Sequence, residues 1–160
     1  MSTDSTPAPA DLAPAAATLP EWVVFACDDQ RFGVPLLLTR EVVAPQPFTR
    51  LPGCGAEVLG LMGLRGRVIT VFDMGIILGR ASALRAADYR ILVLDHEDRV
   101  AGLAVEAVTE IARGQAAILT APEQPLELGT VQDAVVGVGM LAGRQFLALD
   151  PNRILSRLLA

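Results

Sequence analysis

One stretch of the 160-residue chain decides its fold, residues 60–73, and it reads GLMGLRGRVITVFD. Its second half, Arg67 to Phe72, is rich in β-branched residues and predicts a strand. Its first half carries glycines at positions 60, 63 and 66. Glycine is unfavourable inside a regular element, so we expect each of the three to meet a close backbone approach or a positive φ. The stretch therefore predicts a tight turn presented from a strand.

Arg65 stands on that turn, between Leu64 and Gly66. Its guanidinium is a planar fork of donors that fits carbonyl and carboxylate oxygens. Two interpretations follow from the residues alone, and both stay open. Either Arg65 braces the turn by binding backbone carbonyls, or it pairs with a carboxylate of a partner.

Short strand-like runs extend this pattern along the chain. Two of them, Glu21–Cys27 and Arg31–Leu36, flank a polar turn and predict a β-hairpin. Further runs lie at residues 89–94, 99–105 and 144–149. The chain ends differently, because Asp150 and Pro151 are a good helix start before an apolar stripe. Many short strands with few helical stretches favour a barrel or a sandwich.

The sequence also carries a weak internal repeat. A shift of 69 residues places the first hairpin on the hairpin around His96. The shift pairs Val24 with Val93, Asp28 with Glu97, Gly33 with Gly102, Leu36 with Val105, Glu41 with Glu110 and Val42 with Ile111. The repeat predicts two similar small barrels packed together, and the seam between them is an obvious place for a partner.

The inventory of reactive side chains is small. All 13 basic residues are arginine, so there is no lysine for a Schiff base or for a P-loop. His96 is the only histidine, and two cysteines cannot build a four-cysteine zinc site. The net charge of −5, with arginines scattered along the chain, argues against nucleic acid as a partner.

Three motifs are better explained by structure than by chemistry. Residues 137–142 match the letters of a dinucleotide fingerprint, G-x-G-x-x-A, but a hairpin turn follows where a helix is needed. His96 lies in an acidic loop with no serine elbow in the sequence, so we expect an exposed, solvated hairpin tip. Asp73 follows a strand and is expected to cap the next turn.

Residues 1–20 contain four prolines among Ala, Thr and Ser, and they predict a disordered tail before a folded domain at 21–160. The longest uncharged run, Ala134–Gly143, has ten residues, well short of the ~20 that span a membrane. We expect Cys27 to be buried and Cys54 to be accessible, and a disulfide between them stays open. With no secretory signal at the start, these features predict a cytoplasmic protein.

From about Trp22 to Leu159 the chain resembles the CheW-like family, the coupling proteins of bacterial chemosensory arrays. The residues that carry the resemblance are Phe32-Gly33-Val34, Glu41-Val42-Val43, Arg50-Leu51-Pro52, Val58-Leu59-Gly60, Leu64-Arg65-Gly66, Val68-Ile69, Asp73, Val100 to Val105, Val108, Gly137 and Leu149-Asp150 to Ile154-Leu155. Three positions depart from the family pattern: Gly63 replaces the usual Asn, Thr70 the usual Pro and Met74 the usual Leu. The departures bear on partner affinity rather than on the fold.

The resemblance implies a mainly β fold of two five-stranded SH3-like barrels on a common core, with a C-terminal helix. It implies a non-catalytic adaptor, with no cofactor and no metal, located in the cytoplasm and recruited to receptor arrays at the inner face of the membrane. The implied partners are the regulatory domain of a CheA-type histidine kinase and the cytoplasmic tip of a methyl-accepting chemoreceptor. By matching positions, the partner-binding residues would be Arg65, Gly60, Glu41 and Thr39.

A second hypothesis keeps a β-barrel but changes the function. A small-molecule-binding or enzymatic barrel would use the groove between the barrels, and it would need convergent polar groups in an apolar pocket. The sequence offers no such group. For an adaptor, the residues are equally compatible with flagellar chemotaxis and with a chemosensory system that controls type IV pili, development or gene expression.

Overall fold

The computed structural model describes residues 21–112, 118–120 and 133–159, and the predicted tail at 1–20 lies outside the described residues. Within these residues the chain is dominated by strands joined by short turns. The strands are β1 (Trp22–Cys27), β2 (Gln30–Pro35), β3 (Thr39–Val43), β4 (Val58–Leu64), β5 (Arg67–Asp73), β6 (Arg90–His96), β7 (Arg99–Val105), β8 (Ala107–Ala112), β9 (Ile118–Thr120), β10 (Val135–Leu141) and β11 (Arg144–Leu149). The α-helices are α1 (Met74–Ile77) and α2 (Pro151–Leu158), and 3₁₀ turns lie at Leu36–Leu38 and Ala83–Arg85. No helix in this part of the chain is long and apolar enough to cross a membrane.

The strands form two sheets. One has the order β3-β6-β7-β5-β4, and the other has the order β8-β1-β2-β11-β10-β9. In the five-stranded sheet, the segment after β3 returns to the far edge, where Thr49 and Leu61 exchange two backbone hydrogen bonds of 2.8 Å. The prediction of a mainly β domain with two SH3-like barrels and a C-terminal helix is confirmed, and the short β9 is an additional sixth strand.

The internal repeat is visible in the backbone. The hairpins β1–β2 and β6–β7 turn at Asp28 and Glu97, which the sequence shift pairs, and the φ values there are 59° and 55°. The third strand of each copy crosses to the other sheet, because β3 pairs with β6 and β8 pairs with β1. The two barrels are therefore interleaved along the chain and do not form from consecutive halves.

A second pair of hairpins also corresponds, but at a shift other than 69 residues. The hairpins β4–β5 and β10–β11 match at a shift of 77 residues, which places Asp73 on Asp150. Both hairpins turn through two residues of positive φ, Arg65 (50°) and Gly66 (80°) in one and Ala142 (53°) and Gly143 (78°) in the other. We call β4–β5 the Arg65 hairpin and β10–β11 the twin hairpin. The twin hairpin contains the apparent dinucleotide fingerprint, which is therefore strand and turn, as predicted.

Apolar side chains fill three clusters. The largest lies between the sheets and includes Phe25, Phe32, Leu92, Leu103 and Leu149, with Ile154 and Leu155 of α2 packed onto it. A smaller cluster fills the inside of each barrel, and these two clusters are centred on Ile91 and Val71 and on Trp22 and Phe146. The shared core thus joins both sheets and the C-terminal helix into one folded unit.

Asp73 caps α1, as the sequence predicts. Its side chain is 1% exposed and accepts hydrogen bonds from the N–H groups of Gly75 (3.0 Å) and Ala83 (2.9 Å). The hydroxyl of Ser82 donates to the other carboxylate oxygen. Asp150 caps α2 in the same way but is only half-buried, and it accepts from the N–H of Asn152 at 3.0 Å.

The first prediction compares the two caps. Replacement of Asp73 by Ala leaves several buried donors without an acceptor, so we expect the free energy of unfolding to fall by roughly 3 kcal/mol. Asp150→Ala removes a partly exposed cap and should lower the free energy of unfolding by about 1 kcal/mol. Urea unfolding followed by the fluorescence of the buried Trp22 measures both changes. Equal losses in the two variants would contradict the ranking.

The two cysteines lie in opposite environments. Cys27 is buried and Cys54 is exposed, and both thiols are free. Burial raises the pKa of the Cys27 thiol to about 12, so its reactive thiolate is scarce at neutral pH. We therefore expect a chromogenic disulfide reagent at pH 8 to titrate Cys54 alone in the folded protein and both thiols in denaturant. Rapid reaction of Cys27 in the folded protein would contradict this assignment.

Candidate functional site

Arg65 lies at the tip of the Arg65 hairpin, in a backbone conformation that most residues avoid. Arg65 and Gly66 both have positive φ, which is the geometry of a two-residue type I′ turn. Gly66 adopts this conformation freely, whereas Arg65 does so at a cost of roughly 1 kcal/mol. The turn therefore projects the arginine side chain from a rigid base.

The guanidinium of Arg65 is held by Glu41 of β3. Nε of Arg65 donates to Oε2 of Glu41 and Nη2 donates to Oε1, and both distances are 2.9 Å. The arginine side chain is 75% exposed and the glutamate side chain 22% exposed. These hydrogen bonds from Arg65 lower the pKa of Glu41, and the same bonds raise the pKa of Arg65. Within the described chain the acceptor is thus the carboxylate of Glu41 and not a backbone carbonyl.

This ion pair connects the two ends of the five-stranded sheet. Glu41 is on β3 and Arg65 follows β4, and β3 and β4 are the outermost strands in the pairing order. A bidentate arginine–carboxylate pair fixes orientation as well as distance. The pair therefore supports the closure that the Thr49–Leu61 bridge makes along the backbone.

Thr39 and Gly60 occupy supporting positions. Thr39 begins β3 and donates its hydroxyl hydrogen to the carbonyl of Pro35 at 3.2 Å. Gly60 is buried with φ 142°, and a Cβ there would lie 2.4 Å from the carbonyl oxygen of Thr49. Gly60 is therefore what allows the Thr49–Leu61 bridge to form. Gly60 thus lies beneath the surface that carries Arg65 and Glu41.

The expectation for the three glycines is correct at two of them. Gly60 and Gly66 have positive φ, but Gly63 does not, and a Cβ at position 63 would meet nothing within 4 Å. The prediction that each of the three is demanded by the backbone is therefore wrong for Gly63. Neither steric crowding nor strain explains the glycine at this exposed position of β4.

The expectation for His96 is wrong. The residue is 7% exposed, because the hairpin turns at Glu97 and leaves His96 as the last residue of β6, facing α2. Its Nδ1 is 3.1 Å from Oδ1 of Asn152, and its Nε2 is 3.3 Å from the hydroxyl oxygen of Ser156. His96 thus fastens α2 to the five-stranded sheet. The sequence signal for this contact was the pair Asn152 and Ser156, two polar residues four positions apart on one face of the predicted helix.

One cavity of the described residues offers little to the second hypothesis, which needs free polar groups in an apolar pocket. It has a volume of about 600 Å³, and it is lined by residues between 50 and 59, by Asp73 at the end of β5, and by Ile76, Ser82 and Leu84 from the helix and turn that follow. Its polar groups include Asp73 and Ser82, whose hydrogen bonds are already made within the protein. Within the described residues, no group of three or more His, Cys, Asp or Glu is placed to hold a metal ion.

The ion pair between Arg65 and Glu41 should make the stability of the protein depend on pH. The pKa of Glu41 is lower in the folded protein than in the unfolded chain, so its stabilising contribution is present above the unfolded pKa and is lost as the pH falls through the folded pKa. We expect Glu41→Gln to be less stable than the parent protein near neutral pH and to converge with it under acidic conditions, below about pH 4. Thermal unfolding from pH 3 to pH 7 measures the difference. A constant difference over this range would contradict the role of the pair.

Comparison with known proteins identifies a family that covers nearly the whole described part of the chain. The family model of the CheW-like domain matches residues 21–159. The chain is 29% identical over 138 residues to chemotaxis protein CheW of Helicobacter pylori, covering 86% of this chain and 82% of that protein. It is 36% identical over 91 residues to chemotaxis protein CheW of Rhizobium meliloti, covering 57% and 59%.

A solved structure, that of the scaffolding protein TtCheW from Thermoanaerobacter tengcongensis, has the same fold. The TM-score is 0.72 at 23% sequence identity, and the match covers 83% of this chain and 90% of that one. Since the family model spans essentially the whole described region, the chain belongs to the CheW-like family.

Proposed function

We propose that this protein is the cytoplasmic adaptor that couples a methyl-accepting chemoreceptor to a CheA-type histidine kinase in an array at the inner face of the membrane. The partner-binding surface includes the Arg65 hairpin and β3, with Arg65, Glu41 and Thr39 at the surface and Gly60 beneath it. The single observation that carries the proposal is the Arg65 guanidinium, which is oriented by two hydrogen bonds and is still 75% exposed.

The twin hairpin supports this assignment. Ala142 makes the same positive-φ turn as Arg65 without a guanidinium, so the turn itself does not require arginine. The repeat also pairs Glu41 with Glu110, which is bound by Arg31. The Arg31 side chain is only 14% exposed and also donates to the carbonyl of Gln145 at 3.0 Å. Arg31 is thus occupied by contacts inside the protein, whereas Arg65 remains exposed and available to a partner.

An adaptor of this kind works through geometry. Holding a receptor tip and a kinase domain on one rigid unit raises their effective concentration near each other. The shared apolar core supplies the rigidity, because buried residues from both sheets and from α2 pack together in it. A rearrangement of the receptor would then reach the kinase through two simultaneous interfaces.

The test uses charge reversal of the ion pair. We expect Arg65→Glu to bind the kinase regulatory domain or the receptor tip at least about tenfold more weakly, ~1.4 kcal/mol, because a carboxylate replaces the exposed guanidinium. The double variant Arg65→Glu with Glu41→Arg restores an internal ion pair of reversed polarity. We expect it to unfold at a temperature close to that of the parent protein and to remain weak in binding.

Binding is measured by calorimetry with the full chain and each purified partner domain. Arg85→Glu is the matched control, because it makes the same charge change at an exposed position in the 3₁₀ turn. Recovery of binding in the double variant, or unfolding of Arg65→Glu, would make Arg65 a structural brace. If the parent protein binds neither domain, the proposed function is wrong.

A further inference from the structure

Arg80 differs from the other arginines of the described chain. It is half-buried, its Nε is fully buried, and its guanidinium has no hydrogen-bond or ion-pair partner among the described residues. The other described arginines without such a partner are Arg50, Arg67, Arg85 and Arg144, and all of them are exposed. A guanidinium that leaves water without gaining hydrogen bonds is unfavourable, so the position of Arg80 needs a physical reason.

The guanidinium of Arg80 lies over an aromatic ring at the seam between the sheets. Its Cζ is 5.8 Å from the centroid of the Phe32 ring, which is within the range of a cation–π contact. Phe32 belongs to β2 of the six-stranded sheet and is buried in the shared core. Arg80 instead follows α1, which begins where β5 of the five-stranded sheet ends. The ring packs against the cation but offers no oxygen acceptor to its N–H groups.

Two carboxylates lie in the same region, and both are engaged elsewhere. Burial is the main cause of the raised pKa of the Cys27 thiol, but three charges also act on it. They belong to Asp73, Glu106 and Arg80, which therefore lie around one buried side chain. Asp73 caps α1, and Glu106 accepts a hydrogen bond of 2.7 Å from the N–H of Asp28. Of these two described carboxylates, neither forms an ion pair with Arg80.

A carboxylate carried by a protein is the group that fits this guanidinium. The planar fork of arginine donates two parallel hydrogen bonds to the two oxygens of a carboxylate. A free dianion such as phosphate would be repelled by Asp73 and Glu106 more strongly than a single carboxylate. One ion pair adds little affinity by itself, so the carboxylate has to belong to a ligand that makes further contacts.

We propose that Arg80 binds an aspartate or glutamate side chain of a protein partner at the seam between the sheets. The inference rests on the proposed function, because the partner is the kinase regulatory domain or the receptor tip. Arg80 lies near Asp73, at the opposite end of β5 from the Arg65 turn, and the seven residues of β5 span about 20 Å. It therefore adds a contact surface that is separate from Arg65, as two simultaneous interfaces require.

Charge argues against a second copy of this chain as the partner. Each copy has a net charge of −5, so two copies repel one another as they approach. Asp73 and Glu106 of a second copy would already be bound to their own backbone donors. The partner is therefore a different protein with a free carboxylate on its surface.

The test removes the charge of Arg80 and keeps its packing. Methionine is unbranched and flexible, so Arg80→Met still covers Phe32 while the unpaired charge is lost. In the absence of a partner, we expect this variant to unfold at the temperature of the parent protein or above it. The kinase regulatory domain and the receptor tip are the probes, each titrated separately against the full chain by calorimetry. Arg80→Met should bind one of them at least about tenfold more weakly than the parent does.

Two further variants and a spectroscopic signal identify the contact. Arg85→Met makes the same change at an exposed arginine and should bind both probes within about twofold of the parent. Arg80→Lys keeps the positive charge but lacks the planar fork, so it should bind the affected probe at least about threefold more weakly. In ¹⁵N NMR spectra of the parent protein, the Nε–H signal of Arg80 should shift when that probe is added, and the signal of Arg85 should not.

The outcomes separate this inference from the proposed function. If Arg80→Met unfolds at a clearly lower temperature than the parent, the guanidinium has a partner inside the protein and the inference is wrong. If Arg80→Met binds both probes like the parent while Arg65→Glu loses binding, Arg80 is not a contact and the proposed function stands. A parent protein that binds neither probe overturns the proposed function and this inference with it. Self-association of the parent that Arg80→Met abolishes in sedimentation would assign the site to a second copy and also overturn the inference.

Discussion

The structure depends on one constraint, that both faces of the central strands must be buried. Val23 and Phe25 of β1 face the core between the sheets, while Trp22 and Val24 face the inside of their own barrel. The same alternation holds in β6, where Leu92 and Leu94 face the shared core and Ile91 and Val93 face the other barrel. Successive side chains of these strands point alternately into two apolar environments. The sequences of the strands are therefore unbroken apolar runs. The cost of exposing any one of these faces, roughly 1.5–3 kcal/mol for each large side chain, keeps the barrels together.

The exchange of third strands strengthens this dependence. Because β3 leaves the hairpin β1–β2 to pair with β6, and β8 leaves β6–β7 to pair with β1, neither barrel is complete without residues from the other part of the chain. Glu41 lies on one exchanged strand, and Glu110 lies on the other. Each carboxylate binds an arginine from a different hairpin, so both ion pairs tie an exchanged strand to the sheet that receives it. The Arg65–Glu41 pair therefore belongs to the architecture as well as to the surface.

Local signals in the sequence predict much of the fold. Contacts between residues that lie far apart in the sequence could not be predicted. The hairpins, the caps at Asp73 and Asp150 and the repeat of the first three strands could be predicted, because turn chemistry and apolar runs act between near neighbours. The second correspondence could not, since residues inserted between the copies change the shift from 69 to 77. Arg65 could be singled out, but its partner Glu41 is 24 positions away and meets it only when the sheet closes. His96 was misplaced for the same reason, because its burial depends on a helix 56 positions later.

The Arg65 hairpin and the twin hairpin differ in their exposed side chains and not in the backbone conformation of their turns. The tips of the Arg65 hairpin and the twin hairpin share backbone dihedral angles, yet one presents Arg65 above a bare Gly63 and the other presents Ala142 above Met140. A symmetric backbone with equal side chains would offer the same surface twice and bind the same partner twice. Side-chain divergence on an unchanged backbone provides two unlike surfaces at a fixed separation, because the shared core holds both hairpins. An adaptor with the proposed function, which holds two different partners in a set geometry, would need this combination of a rigid frame and unequal surfaces.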